Sequence, residues 1–310
     1  MRILVTGGAG FIGSHIVDAA TAAGHDVAIL DNFWPHGGGR RANVNPKAQL
    51  FDLDIRDRAV AEICARFRPD AISHHAAQHS VAVSTRDPLY DADVNVRGLI
   101  NVLEAAAAAQ VRKVIFASSA ATYGTPRHLP VDEGHPQMPE SPYGISKMAG
   151  EHYLRFYAAA RGVRFTALRY GNVYGPRQDP NGEAGVIAIF CTRILNGRPI
   201  RIDWDGEQQK DYVYAADVAA ANLLALDRAD GESINIGTGV GTSVNALHRA
   251  ISQSVRRDVS VERAPKREGD VRTCVYAIGK ADASLGWRPR TALFDGIGET
   301  IAYFRSVPAA

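Results

Sequence analysis

Cysteine is scarce in this chain of 310 residues: Cys64, Cys191 and Cys274 are the only three, and they lie far apart. An odd and dispersed set encodes neither a disulfide framework nor a cysteine-based zinc cluster. Long apolar runs are lacking as well, which excludes a membrane-spanning helix. There is no excess of one charge sign. Formal net charge is +2 with acidic and basic residues interspersed, so no broad basic field awaits nucleic acid or a membrane surface, although local basic residues can bind a small anion. The N-terminus, from Met1 to Thr6, has no charged leader followed by an apolar segment and a cleavage site, and a cytoplasmic address is expected. What the chain does have is 46% hydrophobic residues, enough for one large or two modest cores.

Residues 2 to 6 form a short apolar run that ends in Gly7-Gly8-Ala9-Gly10-Phe11-Ile12-Gly13, and helical periodicity follows from Ser14 to Ala23. Strand, glycine turn and helix in that order let backbone amides approach a pyrophosphate at a helix N-terminus. The glycines alone are equally compatible with a tight turn. A second apolar run, Val27 to Leu30, ends at Asp31-Asn32, about the expected distance beyond the glycines. A carboxylate there binds both ribose hydroxyls and repels a 2′-phosphate. NAD is therefore expected rather than NADP, with Arg40 and Arg41 in the following loop as the features that speak against it.

Further strands are expected around Leu50 to Leu53, leading into Asp54-Ile55, and at Ala71 to His75, running into Ala76-Ala77-Gln78. Alternating strands and helices imply a parallel sheet with ligands at the strand ends. His74, His75 and His79 cluster in sequence, but adjacent strand residues point to opposite faces and no further ligand spacing occurs, so no metal site is expected. A helix is expected over residues 93 to 111, with Asn95 in its first turn as a local cap.

The run Val114 to Ala117 delivers Ser118-Ser119 at its end, ahead of Thr122-Tyr123-Gly124. Then Tyr143 and Lys147 stand four residues apart at an apparent helix start, which puts both side chains on one face. An ammonium beside a phenol favours the phenolate, so a group of ordinary pKa about 10 becomes usable as a base near neutrality. The order Ser, Tyr, Lys suits hydride chemistry on a nicotinamide.

Taken together, Thr6 to Gly13, Asp31-Asn32, Asp54-Ile55, Ser118-Ser119, Tyr143 and Lys147 resemble the extended short-chain dehydrogenase/reductase family, and within it the branch of UDP-glucose 4-epimerases. The resemblance spans essentially the whole chain. It implies a Rossmann-type doubly wound α/β domain over residues 1–171 with a return segment at 212–238. A smaller C-terminal α/β domain that binds the nucleotide sugar would comprise 172–211 and 239–310. It further implies catalytic roles for Ser119, Tyr143 and Lys147, with Ser118 as supporting neighbour. Cofactor contacts fall on Gly7, Gly10, Phe11, Ile12, Gly13, Asp31, Asn32, Asp54, Ile55, Ala76, Ala77, Gln78, Asn95, Tyr143, Lys147 and Tyr170. Substrate contacts fall on Ser118, Ser119, Tyr143, Asn172, Val186, Lys210, Tyr212, Arg267, Asp270 and Cys274.

The activity implied is inversion at C4 of a UDP-hexose through a transient 4-keto sugar, with NAD retained and recycled. A small residue at Cys274 would leave room for an N-acetyl group. Departures from the family pattern are Lys210 in place of arginine, Asp203-Trp204 where Phe-Gly is common, and Tyr276-Ala277-Ile278 near a usual acidic position. A lysine can still pair a diphosphate, but as a point charge without the bidentate fork. Among rival readings, a 4,6-dehydratase needs an acid and a base where this chain has Ala120 and Ala121. A uronate or pentose epimerase stays open, with Arg177 available to a carboxylate. So does a non-catalytic NAD-sensing protein, because fold alone does not prove catalysis. A homodimer through helices near 95–110 and 144–161 is the family expectation.

Overall fold

In the first strand Ile3 and Val5 are buried on one side and Leu4 on the other, and Val27, Ile29 and Ala28, Leu30 repeat the pattern in the second. Such runs belong to a parallel sheet covered on both faces. The computed structural model describes residues 1–35, 37–181, 185–266 and 270–307. In chain order they form β1 (Arg2–Thr6), α1 (Phe11–Ala22), β2 (Asp26–Asp31), β3 (Gln49–Asp52), α2 (Val60–Phe67) and β4 (Ala71–His74). Two short helices, α3 (Val81–Arg86) and α4 (Pro88–Ala92), precede α5 (Gly98–Ala108), β5 (Lys113–Ser119), α6 (Pro142–Arg161) and β6 (Arg164–Tyr170). The chain then continues through β7 (Asn172–Tyr174), α7 (Val186–Leu195), β8 (Ile200–Asp203), β9 (Gln209–Tyr214), α8 (Ala215–Ala225) and β10 (Glu232–Ile236). It finishes with β11 (Gly241–Ser243), α9 (Val244–Val255), β12 (Val261–Ala264), β13 (Thr273–Cys274), α10 (Gly279–Leu285) and α11 (Leu293–Ser306).

The main sheet has seven parallel strands in the order β10-β6-β5-β4-β1-β2-β3. Helices α1 and α8 cover one face and α2, α5 and α6 the other. Strand order reverses between β1 and β4, and in doubly wound sheets ligands settle in the crevice beyond the strand ends at such a point. The turns after β1 and β4 are the glycine loop and Ala76-Ala77-Gln78.

A second sheet is centred on β9, which pairs with β7, β11 and β13. The return to the main sheet runs through α8 and β10, whereas Tyr212 to Tyr214, placed in that return from sequence, pair with β7 in the second sheet. Helices α7, α9 and α11 build a separate apolar cluster behind it around Phe190, Leu247 and Ile301.

The helical segment around Asn95 also differs from expectation. Helix begins at Pro88, with the Asp87 side chain accepting from the Tyr90 amide, and Asp93–Arg97 is a π turn leading into α5. Asn95 is therefore buried in mid-helix and caps nothing. The proline, fixed in φ and lacking an amide donor, suits a first helical turn and sets the earlier start.

Candidate active site and cofactor cleft

The glycine loop is shaped by contacts that exclude side chains. Gly7 has φ +67°, and a Cβ there would lie 2.6 Å from the Ala76 amide nitrogen; a Cβ at Gly13 would lie 2.1 Å from the Gly7 carbonyl oxygen. The loop thus joins β1 to the turn after β4 across the switch point. Gly10 precedes α1, whose first turn has no side-chain cap and no acidic residue. Its amides remain available to an anion, and Phe11 and Ile12 stand at that terminus.

At the end of β2 the Asp31 carboxylate is 7% exposed and accepts from the amides of Ala9 and Phe33, each at 3.0 Å. Burial raises its pKa and these amides oppose the rise. Two of its acceptor positions are engaged by the protein, which leaves capacity for ribose hydroxyls. Arg40 pairs with Asp179 at 3.2 Å and Arg41 with Asp52 at 2.5 Å. Both arginines that spoke for a 2′-phosphate already have carboxylate partners.

Asn32 donates to Asp54 at 2.8 Å, and Arg56 forks onto the same carboxylate while reaching Asp93. A hydrogen bond from Arg56 is the main reason the Asp54 carboxyl lies below its ordinary range. Ile55 is buried, and its carbonyl accepts from Asn101. Beyond β4, Asn95 accepts from the Gln78 amide and donates to the Gln78 carbonyl and to Asp91. Asn95 also reaches Ser146 on α6, and Gln78 bonds Asp91 in turn. This loop is pinned from beneath by the π turn. Donor set, glycine contacts and the unshielded start of α1 fit a dinucleotide.

The catalytic candidates converge at the neighbouring strand end. Ser141 caps α6 by accepting from the Gly144 amide, and Pro142 fills its first position, so Tyr143 projects from the first turn. Ser119, at the end of β5, accepts from the Ala121 amide at 3.1 Å, and its hydroxyl lies near enough to Tyr143 to oppose the rise of the phenol's pKa. Lys147 is 5% exposed, donates to the Ala117 carbonyl at 2.9 Å, and holds its Nζ 5.8 Å from the centre of the Tyr143 ring.

The electrostatics correct the expectation of an already softened phenol. Burial pushes Tyr143 up to about 12, opposed by the Ser119 hydrogen bond, and pushes Lys147 down to about 8, opposed by the charge of Asp91. The lysine engages a backbone carbonyl, and desolvation of the phenolate outweighs the lysine's charge at that distance. His74 and His75 are both held down to about 3 by burial. His74 bonds Thr6, and His75 meets the Tyr170 hydroxyl, which also accepts from Asn222.

Substrate candidates gather on the second sheet. Asn172 is exposed and donates to the Asp211 carbonyl, Tyr212 stands opposite it across the β7–β9 pair, and Cys274 stands opposite Lys210. The Lys210 ammonium donates to the Val271 carbonyl at 3.0 Å. Val186 opens α7, which has no side-chain cap. Asp270 precedes β13, while Arg267 lies outside the described residues. Cys274 Sγ lies 2.8 Å from the Tyr276 hydroxyl, so the tyrosine that departs from the family pattern backs the thiol. Trp204 takes φ +60°, with Lys266 and Arg272 against its ring at 4.6 and 4.9 Å. Arg177, considered for a substrate carboxylate, pairs with Asp18 on α1 at 2.6 Å. Ser118 is buried and its hydroxyl donates to Glu151.

A model of the NAD dependent epimerase/dehydratase family matches residues 3–237. The chain belongs to that family. It is 44% identical to a UDP-glucose 4-epimerase of Mycolicibacterium smegmatis over 313 residues, covering 99% of each chain. Among solved structures, a UDP-glucose 4-epimerase of Thermotoga maritima with UDP-glucose superposes with TM-score 0.95 at 44% identity, covering 98% of this chain and 99% of that one. A Thermus thermophilus UDP-glucose 4-epimerase in complex with NAD gives TM-score 0.94 at 44% identity, covering 99% and 100%.

With membership in this epimerase family in place, several residues missed in the sequence gain meaning. Asp211 is a fully buried carboxylate that accepts from the amides of Thr238, Gly239 and Tyr276 and from the Thr238 hydroxyl, joining the two sheets. A signal existed in its place between Lys210 and an apolar triplet. Asp91 carried no signal, because its partners come from a loop and a π turn that sequence does not align. Glu151 did carry one: it follows Lys147 by four residues on the same helical face.

Proposed function

We propose that this chain is an NAD-dependent isomerase that inverts C4 of a UDP-hexose, interconverting UDP-glucose and UDP-galactose. The observation that carries the reading is the meeting of Ser119, Tyr143 and Lys147 beside a cleft suited to a dinucleotide. Bound NAD supplies the hydride acceptor for C4 and returns the hydride after the 4-keto sugar has turned its other face. Gly7, Gly10 and Gly13, with Phe11 and Ile12, hold the pyrophosphate, and Asp31 the ribose. Asn32, Asp54 and Ile55 line the adenine end, and Ala76, Ala77, Gln78, Asn95 and Tyr170 shape the floor.

Tyr143 takes the proton of the sugar 4-hydroxyl as oxidation proceeds and gives one back on reduction. Its phenol, at about 12 with Lys147 already in place, makes the added positive charge of the oxidised cofactor a condition for acting as base. Ser119 donates to the developing phenolate. Lys147, held by the Ala117 carbonyl, also bonds the nicotinamide ribose. Lys210 and Arg267 anchor the diphosphate, with Asn172, Val186, Tyr212 and Asp270 around it, and Cys274 borders the sugar. The N-acetylhexosamine pair is a secondary substrate, favoured by the small Cys274. Ala120 and Ala121 stand against elimination, and the Arg177–Asp18 pair stands against recognition of a uronate.

We also propose a homodimer: Ile145 and Phe156, eleven residues apart on one stripe of α6, are 51% and 60% exposed, and Leu89 of α4 is 83% exposed. A cytoplasmic setting accords with three free cysteines. Among the described residues no helix is long and apolar enough to cross a membrane.

The test is incubation with UDP-galactose, UDP-N-acetylgalactosamine, UDP-glucuronate and dTDP-glucose, with products followed by NMR. C4 inversion of the UDP-hexose without net NADH release is expected, and Tyr143→Phe is expected to lose turnover by at least a thousandfold while retaining NAD. Release of stoichiometric NADH, or an active Tyr143→Phe protein, overturns the reading.

A further inference from the structure

A buried ion pair lies directly behind the catalytic candidates, and no step proposed above uses it. Glu151 and Arg169 have side chains 0% and 3% exposed, and the guanidinium forks onto the carboxylate, Nε to Oε1 at 2.8 Å and Nη2 to Oε2 at 2.6 Å. Ser118 Oγ donates to Oε1 at 2.7 Å and Ser233 Oγ to Oε2 at 3.0 Å. Arg169 Nη1 donates to the Tyr123 hydroxyl at 2.8 Å, and that hydroxyl donates to Asn235 Oδ1 at 2.7 Å. Burial alone pushes the Glu151 carboxyl up, but the hydrogen bonds and charge of Arg169 and the two serine hydroxyls overcome it and hold the group below its ordinary value.

The position of this pair is what gives it meaning. Glu151 follows Tyr143 by eight residues and Lys147 by four, so all three share a stripe of α6. Ser118 immediately precedes Ser119, and Tyr123 follows it by four. One ion pair therefore grips the Ser119 segment on both sides and is itself carried by the helix that presents the phenol and the ammonium. A buried pair of this kind is weak evidence for stability, because apolar residues of similar volume often replace one without loss. Its directional fork and satisfied acceptors do something apolar packing does not: they fix two backbone segments in register.

We propose that Glu151, with Arg169, is a positioning residue of the reaction that sets the distance and angle between Ser119 and Tyr143. The inference rests on the reading of Ser119, Tyr143 and Lys147 as the catalytic set. Misplacement of reacting groups by about 1 Å costs about a hundredfold in rate, so a clamp on this distance acts on turnover more than on binding.

Ser118→Ala tests it most cleanly, because it removes one bond of the clamp and leaves the ion pair intact. Expected are an NAD content and thermal midpoint close to wild type, a kcat lowered at least tenfold and a KM within threefold. Hydrogen–deuterium exchange read by mass spectrometry should rise at least tenfold in residues 118–123 and 142–147 only. Ser118→Thr, which keeps a hydroxyl donor, should restore most of both. Glu151→Gln should give a larger kcat loss with the same pattern, and where it fails to fold the two Ser118 variants decide.

A Ser118→Ala protein with kcat within twofold of wild type overturns the proposal. So does a kcat loss without the exchange change, or one matched by loss of NAD. Failure of the wild-type protein to invert any UDP-sugar bears on the proposed function instead, and the exchange pattern then decides separately whether the clamp exists.

Discussion

Ser119→Ala provides the sharpest quantitative test of the proposed base. The Ser119 hydroxyl opposes the burial that raises Tyr143 to about 12. A hydrogen bond to a charged group contributes about 1.5–3 kcal/mol, and about 1.36 kcal/mol corresponds to one pKa unit. Deleting the hydroxyl should therefore raise the phenol's pKa by about one to two units. The sign follows directly. The reaction needs the phenolate, and below the pKa its fraction falls tenfold per unit, so the rising limb of the pH–rate profile moves to higher pH. At pH 7 kcat should drop about ten- to a hundredfold, and the loss should shrink as the pH is raised past the displaced limb.

The assay is C4 inversion of UDP-galactose at saturating substrate between pH 6 and 10, for the wild type, Ser119→Ala and Ser119→Thr. Because Ser119 also accepts from the Ala121 amide, Ser119→Thr controls for loosening of that turn. A kcat within threefold of wild type throughout this pH range would show that Ser119 does not tune Tyr143, and would refute the reasoning.

Other outcomes follow from contacts already described. His74 and His75 are held near 3 in the folded chain against about 6.5 when free, so the unfolded state binds more protons below pH 6.5 and stability is lost progressively from there toward pH 3. At pH 5 each contributes a loss of about 2 kcal/mol, and His75→Phe should reduce the fall in the unfolding free energy from urea titrations between pH 7 and 5 by that amount; an unaltered fall would contradict it. Gly13→Ala places a Cβ 2.1 Å from the Gly7 carbonyl oxygen, and loss of copurifying NAD with about 1–3 kcal/mol of destabilisation is expected in thermal melts. Lys210→Ala should raise KM for the UDP-sugar about tenfold and leave kcat within twofold, since a diphosphate anchor acts equally on ground and transition states; a kcat effect of the same size would move Lys210 into the chemistry.

The doubly wound sheet was legible because its parallel strands are continuous apolar runs and its glycine loop has a fixed spacing from Asp31. The proximity of the three candidates was legible because each sits at an element boundary: Ser119 at a strand end, Tyr143 and Lys147 in the first turns of α6. Asn95 was misplaced by a turn or more, since a π insertion leaves no periodic mark and Pro88 was not taken as the helix start. The upward push that burial gives the Tyr143 phenol was not legible because the spacing of Tyr143 and Lys147 reports proximity, whereas the balance between desolvation and charge depends on what else surrounds them. Arg169 was invisible for a related reason. Its partner Glu151 is 18 residues earlier on another element, and only the packing of α6 on β6 joins them.

The second sheet has a consequence for how substrate scope can change. Lys210 and Tyr212 lie on β9 itself and Asn172 and Cys274 on strands paired with it, while Ser119 and the proposed cofactor residues belong to the main sheet and the helices and loops on it. The residues proposed to grip the nucleotide and those proposed to oxidise the sugar thus stand on different sheets, linked in part by the buried carboxylate of Asp211 with its four donors from segments 238–239 and 276. A recombined chain that exchanges the β7, β9 and β13 strands and keeps Asp211 would change which sugar nucleotide is held and leave the redox half untouched.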